Sequence, residues 1–223
     1  MSKIILLQKC LLFFKKKLRK IHILHNIYIK YNFFINNKNK SYSMNNEDIA
    51  VIDYFKDKKD GFYVDVGCHH PTYINNTYLL HKQNWSGINI DVSQFSIDLF
   101  NYMRPQDLNY NCAISNKNEI IKLFFQKEFS QLSTIENTQA KIVFQGDIKQ
   151  KEIQAFTLDE ILNRDKYKDT KIDFLNIDVE GADLKVLEGL SFDKFKPELI
   201  CVEIHEKKIQ KNKIYNFLIN KRY

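Results

Sequence analysis

Short apolar segments that carry an acidic residue near their carboxyl end constrain the fold of this chain most strongly. They are Gly61–Gly67, Gly87–Asp91 and Ile172–Asp178, and Leu199–Ile204 is a fourth of the same kind. All are rich in β-branched or aromatic residues and too short for buried helices, so they predict buried strands. Segments with helical spacing separate them. This alternation predicts an α/β fold, with a mostly parallel sheet and helices on both faces.

The rest of the chain supplies the predicted helices and two further strands. The predicted helices are Ile49–Phe55, Tyr78–Gln83, Phe95–Tyr102, Leu158–Leu162, Ala182–Leu190 and Ile209–Ile219. The further strands are Leu108–Ile114 and Ile120–Phe125, whereas the polar segment Ser130–Gly146 predicts irregular structure. Loops over the strand ends shape ligand pockets, so we expect most of the substrate specificity to lie in Ser130–Gly146 and in the amino-terminal arm, residues 1–46.

Polar side chains cluster where the predicted strands end. They are Asp65, Asp91, Asn111, Asp178, Glu203 and His205. Parallel strands place their carboxyl ends at one edge of the sheet, and ligands of such folds bind at that edge. The sequence therefore predicts a cofactor site there.

The first loop of the predicted sheet indicates which cofactor the site suits. No Gly-Lys-Ser/Thr phosphate loop occurs, and Gly67 is followed by Cys68-His69-His70-Pro71, which lacks the further glycines of the dinucleotide fingerprint. Asp65 would repel a pyrophosphate but suits a cofactor with cationic groups. S-adenosylmethionine has a sulfonium, an amino group and a ribose diol, and Asp91 is placed to accept hydrogen bonds from that diol.

Several blocks of the sequence resemble the FkbM-type S-adenosylmethionine-dependent methyltransferases. The matching blocks are Phe62–Gly67, Gly87–Asp91, Asn111–Ser115, Thr157–Leu162, Ile172–Gly181 and Val202–His205. They occur in the right order and spacing over roughly residues 50 to 222. The resemblance implies a Rossmann-like class I methyltransferase fold and O-methyl transfer, often to hydroxyls of sugars or other secondary metabolites.

The resemblance also implies roles for individual residues. The methionine end of the cofactor would be lined by Asp65, Gly67 and Cys68, and its ribose would be held by Asp91. The adenine would lie against Asn111 and Ala113. The methyl group and the acceptor would lie beside Asp178, Glu180 and His205. An alcohol acceptor must lose a proton, so a base is expected within hydrogen-bond reach. Asp178, Glu180 and His205 remain equal candidates for that base. A metal held by Asp178 and Glu180 is an alternative way to activate the hydroxyl.

Two of these motifs have other interpretations. Asp178 and Glu180 could instead cap the helix that begins near Ala182. Cys68-His69-His70 with Cys112 contains zinc-ligand residue types, but adjacent ligands on one turn rarely converge, so no metal site is predicted.

The sequence departs from the family pattern at its carboxyl end. Family members usually continue into a final antiparallel pair of strands, whereas this sequence ends at Tyr223 where that pair would begin. The fold is therefore predicted to lack these strands and to leave Leu199–Ile204 as a sheet edge. We expect weak solubility, a homodimer formed through that edge, or cover from the amino-terminal arm. A decayed gene product is a further alternative.

The amino-terminal arm, residues 1–46, differs sharply from residues 47–223, the predicted methyltransferase domain. The arm holds nine Lys, one Arg and no acidic residue, so its charge is +10 and that of the domain is −3. Its apolar runs are too short to span a membrane and lack the order of a signal peptide. The arm is interpreted either as an extension upstream of a start at Met44, or as a basic segment that contacts an anionic membrane through residues 1–30.

The leading prediction is an S-adenosylmethionine-dependent O-methyltransferase that acts on a hydroxyl of a glycan or another small metabolite. A non-catalytic or decayed methyltransferase-fold module at a membrane surface is the alternative. A nucleic-acid methyltransferase is less expected, since the Asp178 block replaces the Asn/Asp-Pro-Pro-Tyr type motif and its carboxylates oppose phosphates. Four cysteines without a CxxC pair predict reduced thiols in the cytoplasm, with the inner face of the membrane as an alternative location.

Overall fold

A five-stranded, all-parallel sheet forms the centre of the fold and confirms the predicted class. Its strands follow the order β3-β2-β1-β8-β9. They are β1 (Phe62–Val66), β2 (Ser86–Asp91), β3 (Leu108–Asn111), β8 (Phe174–Ile177) and β9 (Leu199–Val202). The chain leaves β1 toward β2 and β3 and later returns on the other side of β1 through β8 and β9. The topological switch point, where ligands of such sheets bind, therefore lies between β1 and β8.

The computed structural model describes residues 40–126, 133–134, 140–141, 146–164, 167–204 and 209–223. Most of the arm, including its proposed membrane segment 1–30, lies outside these residues. Ser41–Tyr223 forms a compact unit of its own. No helix in the described ranges is long and apolar enough to cross a membrane.

Helices cover both faces of this sheet. They are α1 (Glu47–Tyr54), α2 (Tyr78–Lys82), α3 (Gln94–Met103), α4 (Leu158–Arg164), α5 (Asp183–Glu188) and α6 (Lys213–Asn220), with a 3₁₀ turn at Ile209–Lys211. On one face, Val64 and Val66 of β1 share a core with residues of α4, α5 and α6. On the other face, Tyr63 packs with residues of α1 and α2. Because side chains alternate along a strand, Asp65 projects to the same face as Tyr63.

A second, smaller sheet differs from the predicted pattern. The strand predicted over Leu108–Ile114 is interrupted at Cys112, so that β3 stays in the parallel sheet and β4 (Ala113–Ile114) joins the second sheet. That sheet has the order β4-β7-β5-β6, with β5 (Glu119–Phe125), β6 (Ser133–Thr134) and β7 (Lys149–Phe156). β7 pairs antiparallel with β5 along the whole of β5.

Among the described residues, no strand follows β9. Within the described part of the chain, β9 pairs only with β8, and the next described elements are the 3₁₀ turn and α6. Tyr223 packs its ring against Phe192 at 5.7 Å and donates its hydroxyl to the carbonyl of Pro197 at 2.6 Å. The last residues thereby join the core on the α5 and α6 face.

The buried Arg104 links the end of α3 to the loop that follows β1. Its side chain is 1% exposed, and it donates hydrogen bonds to the Tyr63 hydroxyl at 3.0 Å, Thr77 Oγ1 at 2.8 Å, Asn75 Oδ1 at 2.9 Å and the Pro71 carbonyl at 2.6 Å. Tyr63 in turn donates its hydroxyl to the buried carboxylate of Asp107. One guanidinium therefore sits among buried acceptors drawn from three parts of the chain.

We predict that Arg104→Met lowers the free energy of unfolding by about 3–5 kcal/mol, because four buried acceptors lose their charged donor and the buried carboxylate of Asp65 loses a nearby positive charge. Urea unfolding followed by circular dichroism measures the change. Arg222→Met, at an exposed position near the carboxyl terminus, is the matched control and should change stability by less than about 0.5 kcal/mol. Equal losses in the two variants would contradict a central role for the Arg104 network.

Candidate active site

A cavity of about 560 Å³ opens at the carboxyl ends of β1, β2, β8 and β9. The turns that follow these strands line it, together with β4, Leu123 of β5 and the segment around Met44. This is the position that the switch point between β1 and β8 predicts for a ligand.

The fully buried carboxylate of Asp65 connects the loop after β1 with β8 at the base of the cavity. Asp65 Oδ1 accepts a hydrogen bond from Asn176 Nδ2 at 2.8 Å. Its Oδ2 accepts from Thr77 Oγ1 at 2.9 Å and from Asn75 Nδ2 at 3.2 Å. Burial raises the pKa of Asp65, while these hydrogen bonds and the charge of Arg104 lower it. Asp65 thus holds the loop after β1 against β8.

Gly67 allows β1 and β8 to meet at the cavity. Its φ is +82°, and a Cβ built there would lie 1.8 Å from the carbonyl oxygen of Asp178. Gly67 N also donates to the Ile90 carbonyl at 2.9 Å, so the ends of β1 and β2 are joined at the same residue. Any side chain at this position would separate the strands.

Asp91 presents a half-buried carboxylate at the end of β2. Its Oδ2 accepts from His69 N at 2.8 Å and its Oδ1 from Ser93 N at 2.7 Å. Burial raises its pKa to about 6, against the effect of these two backbone donors. The group is therefore mostly ionised at neutral pH. A carboxylate oxygen has two lone pairs, so each oxygen retains a second acceptor position.

One end of the cavity is apolar. The break between β3 and β4 turns Cys112, Ala113 and Ile114 into the cavity wall, and Leu123 of β5 lies beside them. Asn111 does not line this wall. Its side chain is exposed and donates its amide to the Asp91 carbonyl at 2.9 Å. The second sheet thus supplies an apolar surface close to Asp91.

The turn after β8 is strained and carries the acids predicted to act in catalysis. Glu180 has φ +55° and Gly181 has φ +95°. Asp183 holds the turn by accepting from Val179 N at 3.0 Å and Gly181 N at 3.1 Å. The N-cap residue of α5 is Ala182, and it makes no side-chain capping bond. Backbone strain of this kind concentrates at functional sites.

Asp178 has the proton affinity of a general base. It lines the cavity with an exposed side chain, and partial desolvation by the surrounding protein together with the charges of Glu203, Glu180, Asp183 and Asp65 raises its pKa to about 7. A carboxylate with this pKa both accepts and releases a proton near neutral pH, as acid–base catalysis requires. Within the described residues, no group of three His, Cys, Asp or Glu side chains is arranged to hold a metal ion.

A comparison with family models identifies the protein class. The model of the methyltransferase FkbM domain matches residues 65–223. The chain belongs to the FkbM methyltransferase family. Searches of the curated proteins and of the solved structures gave no significant match.

The fold of this FkbM methyltransferase brings most of the predicted site residues into one cavity. Those that line it are Asp65, Gly67, Cys68, Asp91, Ala113, Asp178 and Glu180. Asn111 is the exception described above, and Cys112, the next residue, takes its place in the wall. His205 lies outside the described residues.

Several residues that line or support the cavity were not predicted. Met44, Asn45 and Glu47 line it, as do Asn75 and Asn76. Asn75 and Thr77 hold Asp65, a role that no local pattern marks, because their partner lies on another element. His69 also lines the cavity, and burial lowers its pKa to about 4, so the ring is neutral.

We predict that Gly67→Ala destabilises the protein by more than about 2 kcal/mol, through strain at positive φ and the collision with the Asp178 carbonyl. Urea unfolding gives the value. Gly146→Ala is the control, because Gly146 also has a positive φ, of +98°, but a Cβ built there comes no closer than 4.0 Å to the described residues, at Gln126 Nε2. The difference between the losses of unfolding free energy in the two variants measures the cost of the collision between Gly67→Ala and the Asp178 carbonyl. A difference near zero would refute the prediction that this close approach requires glycine.

Proposed function

We propose that this methyltransferase uses S-adenosylmethionine to methylate a hydroxyl group of a glycan or another small metabolite. The observation that carries the proposal is the placement of Asp178, with a pKa of about 7, in the same cavity as the ionised Asp91. A base near neutral pH is what an alcohol acceptor needs, and a second carboxylate suits a cofactor with hydroxyls and cationic groups.

The residues of the cavity fit this cofactor. The carboxylate of Asp91 suits a ribose diol, and the apolar wall of Cys112, Ala113 and Leu123 suits an adenine ring. The floor at Asp65 and Gly67 suits the cationic methionine end. His69 Nε2 is buried without a hydrogen-bond partner among the described residues, which leaves a polar atom for a ligand to satisfy. When bound, S-adenosylmethionine supplies an activated methyl group.

The side chains around Asp178 tune its proton affinity. Partial desolvation and the charges of Glu203 and Glu180 raise its pKa, so the carboxylate is basic enough to take the proton of an acceptor hydroxyl. The strained turn held by Asp183 fixes where that carboxylate lies. Holding the acceptor oxygen about 3 Å from the methyl carbon, in line with the breaking bond, would supply much of the acceleration. The role of His205 as an alternative base remains a prediction.

The proposal extends to location and partners. A cytoplasmic protein whose residues 1–30 contact an anionic membrane is consistent with the charge of the arm. Nucleic acid is not expected as a substrate, since six acidic side chains line the cavity. A homodimer through the β9 edge is a separate proposal, tested by sedimentation.

Cofactor binding is tested by calorimetric titration with S-adenosylmethionine and with its demethylated product. We expect wild-type protein to bind both, and Asp91→Ala to weaken binding about 10- to 100-fold, since hydrogen bonds to a charged acceptor are lost. Asp193→Ala, which removes an exposed carboxylate outside the cavity, should bind like wild type. A folded wild-type protein that binds neither compound would refute the proposed cofactor.

The base is tested by the pH dependence of the rate, once an acceptor has been found by its gain in mass. We expect kcat to rise with pH and to level off above about 7, because the reactive form of Asp178 is ionised. Asp178→Asn should lower kcat about 10²- to 10⁴-fold.

Glu203→Gln is the diagnostic control for this assignment. Removing the negative charge of Glu203 lowers the pKa of Asp178, so the rising part of the profile should move to lower pH while activity is kept. A profile that does not move in Glu203→Gln, or persists in Asp178→Asn, would assign the ionisation to another group.

A further inference from the structure

The segment Ser41–Glu47, here called the strap, forms part of the cavity wall although it precedes the first strand. Its residues Met44, Asn45 and Glu47 line the cavity, and the Met44 side chain is 69% exposed. Nothing in the reaction described above uses these three side chains.

The strap is held firmly in place by the fully buried Asp48. Asp48 Oδ2 accepts from Tyr42 N at 2.6 Å, and its Oδ1 accepts from the hydroxyls of Ser41 at 2.6 Å and Ser43 at 2.8 Å. The Tyr42 carbonyl accepts from Asn75 N at 2.9 Å. This bond joins the strap to the loop that holds Asp65, so the strap is a fixed wall of the site.

Asn45 and Glu47 form a prearranged polar pair on that wall. Glu47 accepts from Asn45 N at 2.7 Å and from Asn45 Nδ2 at 3.0 Å. Although partial burial opposes it, these hydrogen bonds hold the pKa of Glu47 below its usual value. Glu47 is therefore a charged acceptor at neutral pH, oriented before any ligand arrives.

The strap is linked to the part of the cavity formed by β8 and β9. The Tyr42 carbonyl accepts from Asn75 N, and the next residue, Asn76, donates its side-chain amide to Asn176 Oδ1 of β8 at 2.9 Å and to Cys201 Sγ of β9 at 3.9 Å. Asp91 and the apolar wall lie beyond β1, at β2 and the second sheet. Asp178 and Glu203, at the ends of β8 and β9, therefore lie in the same half of the cavity as the strap, and the proposed cofactor position leaves this half to the acceptor.

The charges of this half restrict what can bind. Glu47, Asp178, Glu180 and Glu203 line it, and no Lys or Arg is found among the described residues that line the cavity. Phosphate, sulfate or carboxylate groups would meet repulsion from these acids, without a compensating Lys or Arg among the described lining residues. Hydroxyl groups, in contrast, can donate hydrogen bonds to carboxylates.

We propose that the strap recognises the acceptor, with Asn45 and Glu47 binding hydroxyls of an uncharged polyhydroxylated molecule next to the hydroxyl that is methylated. The exposed Met44 side chain offers an apolar contact to the carbon face of such a ring. This inference rests on the proposed function and deepens it by naming the acceptor class and the element that selects it.

Saturation-transfer NMR on the full chain tests this inference with simple sugar probes in place of the acceptor itself. The protein is saturated with S-adenosylhomocysteine and mixed with the methyl glycosides of glucose, galactose, mannose and rhamnose. Matched probes are the methyl glycosides of glucuronic and galacturonic acid, and glucose 6-phosphate. We expect signals from neutral glycosides and none from the anionic probes. Stronger signals from the anionic probes, or no neutral signal, would overturn the inference.

Substitutions in the strap then assign the binding. Glu47→Gln, which keeps the shape and an acceptor for Asn45, should weaken the neutral signals at least fivefold, and Asn45→Ala should act similarly. Glu47→Lys should admit the uronic-acid probes. Glu152→Gln on the exposed β7 is the matched control and should behave as wild type. Equal signals in Glu47→Gln and Glu152→Gln would refute a role for the strap.

A parallel titration of each variant with S-adenosylhomocysteine separates the two claims. Cofactor affinity should stay within twofold of wild type in all of them. Loss of neutral-glycoside binding with intact cofactor binding supports the strap, whereas failure of wild type to bind the cofactor refutes the proposed function instead.

Discussion

The rest of the site depends on one buried carboxylate, that of Asp65. Its oxygens take hydrogen bonds from Asn176 on β8 and from Asn75 and Thr77 in the loop after β1. Arg104 donates to the same Asn75 and Thr77 side chains, which share their polar atoms between the carboxylate and the guanidinium. A buried charge must be paired or fully hydrogen-bonded, so this network specifies a single arrangement of the loop and the strand. The position of the strap depends on the same network, because the Tyr42 carbonyl accepts a hydrogen bond from Asn75 N.

The electrostatics of the cavity follow from the same topology. Parallel strands bring their carboxyl ends together, and here β8 and β9 are both followed by acids. Partial desolvation, together with the repulsion between these acids, raises the pKa of Asp178. At the other end, backbone donors from His69 and Ser93 oppose the burial of Asp91, so that its pKa stays nearer the usual range. The carboxylates of Asp91 and Asp178 therefore have different pKa values although they line one cavity.

Much of the parallel sheet could be predicted, because each of its central strands is a short run of apolar residues that is recognisable from the local sequence alone. Val64, Ile88 and Leu175 lie in runs of apolar residues that leave no other buried structure available. β7 was missed because most of Lys149–Phe156 is polar and exposed, so only its pairing with β5 makes it a strand. The interruption at Cys112 was equally invisible, since residues 108–114 read as one continuous strand.

The candidate site was predictable to the extent that it depends on strand ends. Asp91 and Asp178 follow apolar runs, and the sequence alone places them at one edge. Asn75, Thr77 and the strap are site elements only through contacts with residues distant in sequence, and no spacing rule marks them. The sequence predicts Asn111 beside the adenine, whereas its neighbour Cys112 lines the cavity. A sequence pattern does not show which of two adjacent residues points into a pocket.

The strap also lies outside the segment that defines the family, which begins at residue 65. Asn45 or Glu47 of the strap can be substituted while residues 65–223 stay the same. With the proposed role of the strap, substrate preference and chemistry are separable along the gene, and homologues would diverge in the molecules they modify through changes upstream of the sequence blocks that mark the family.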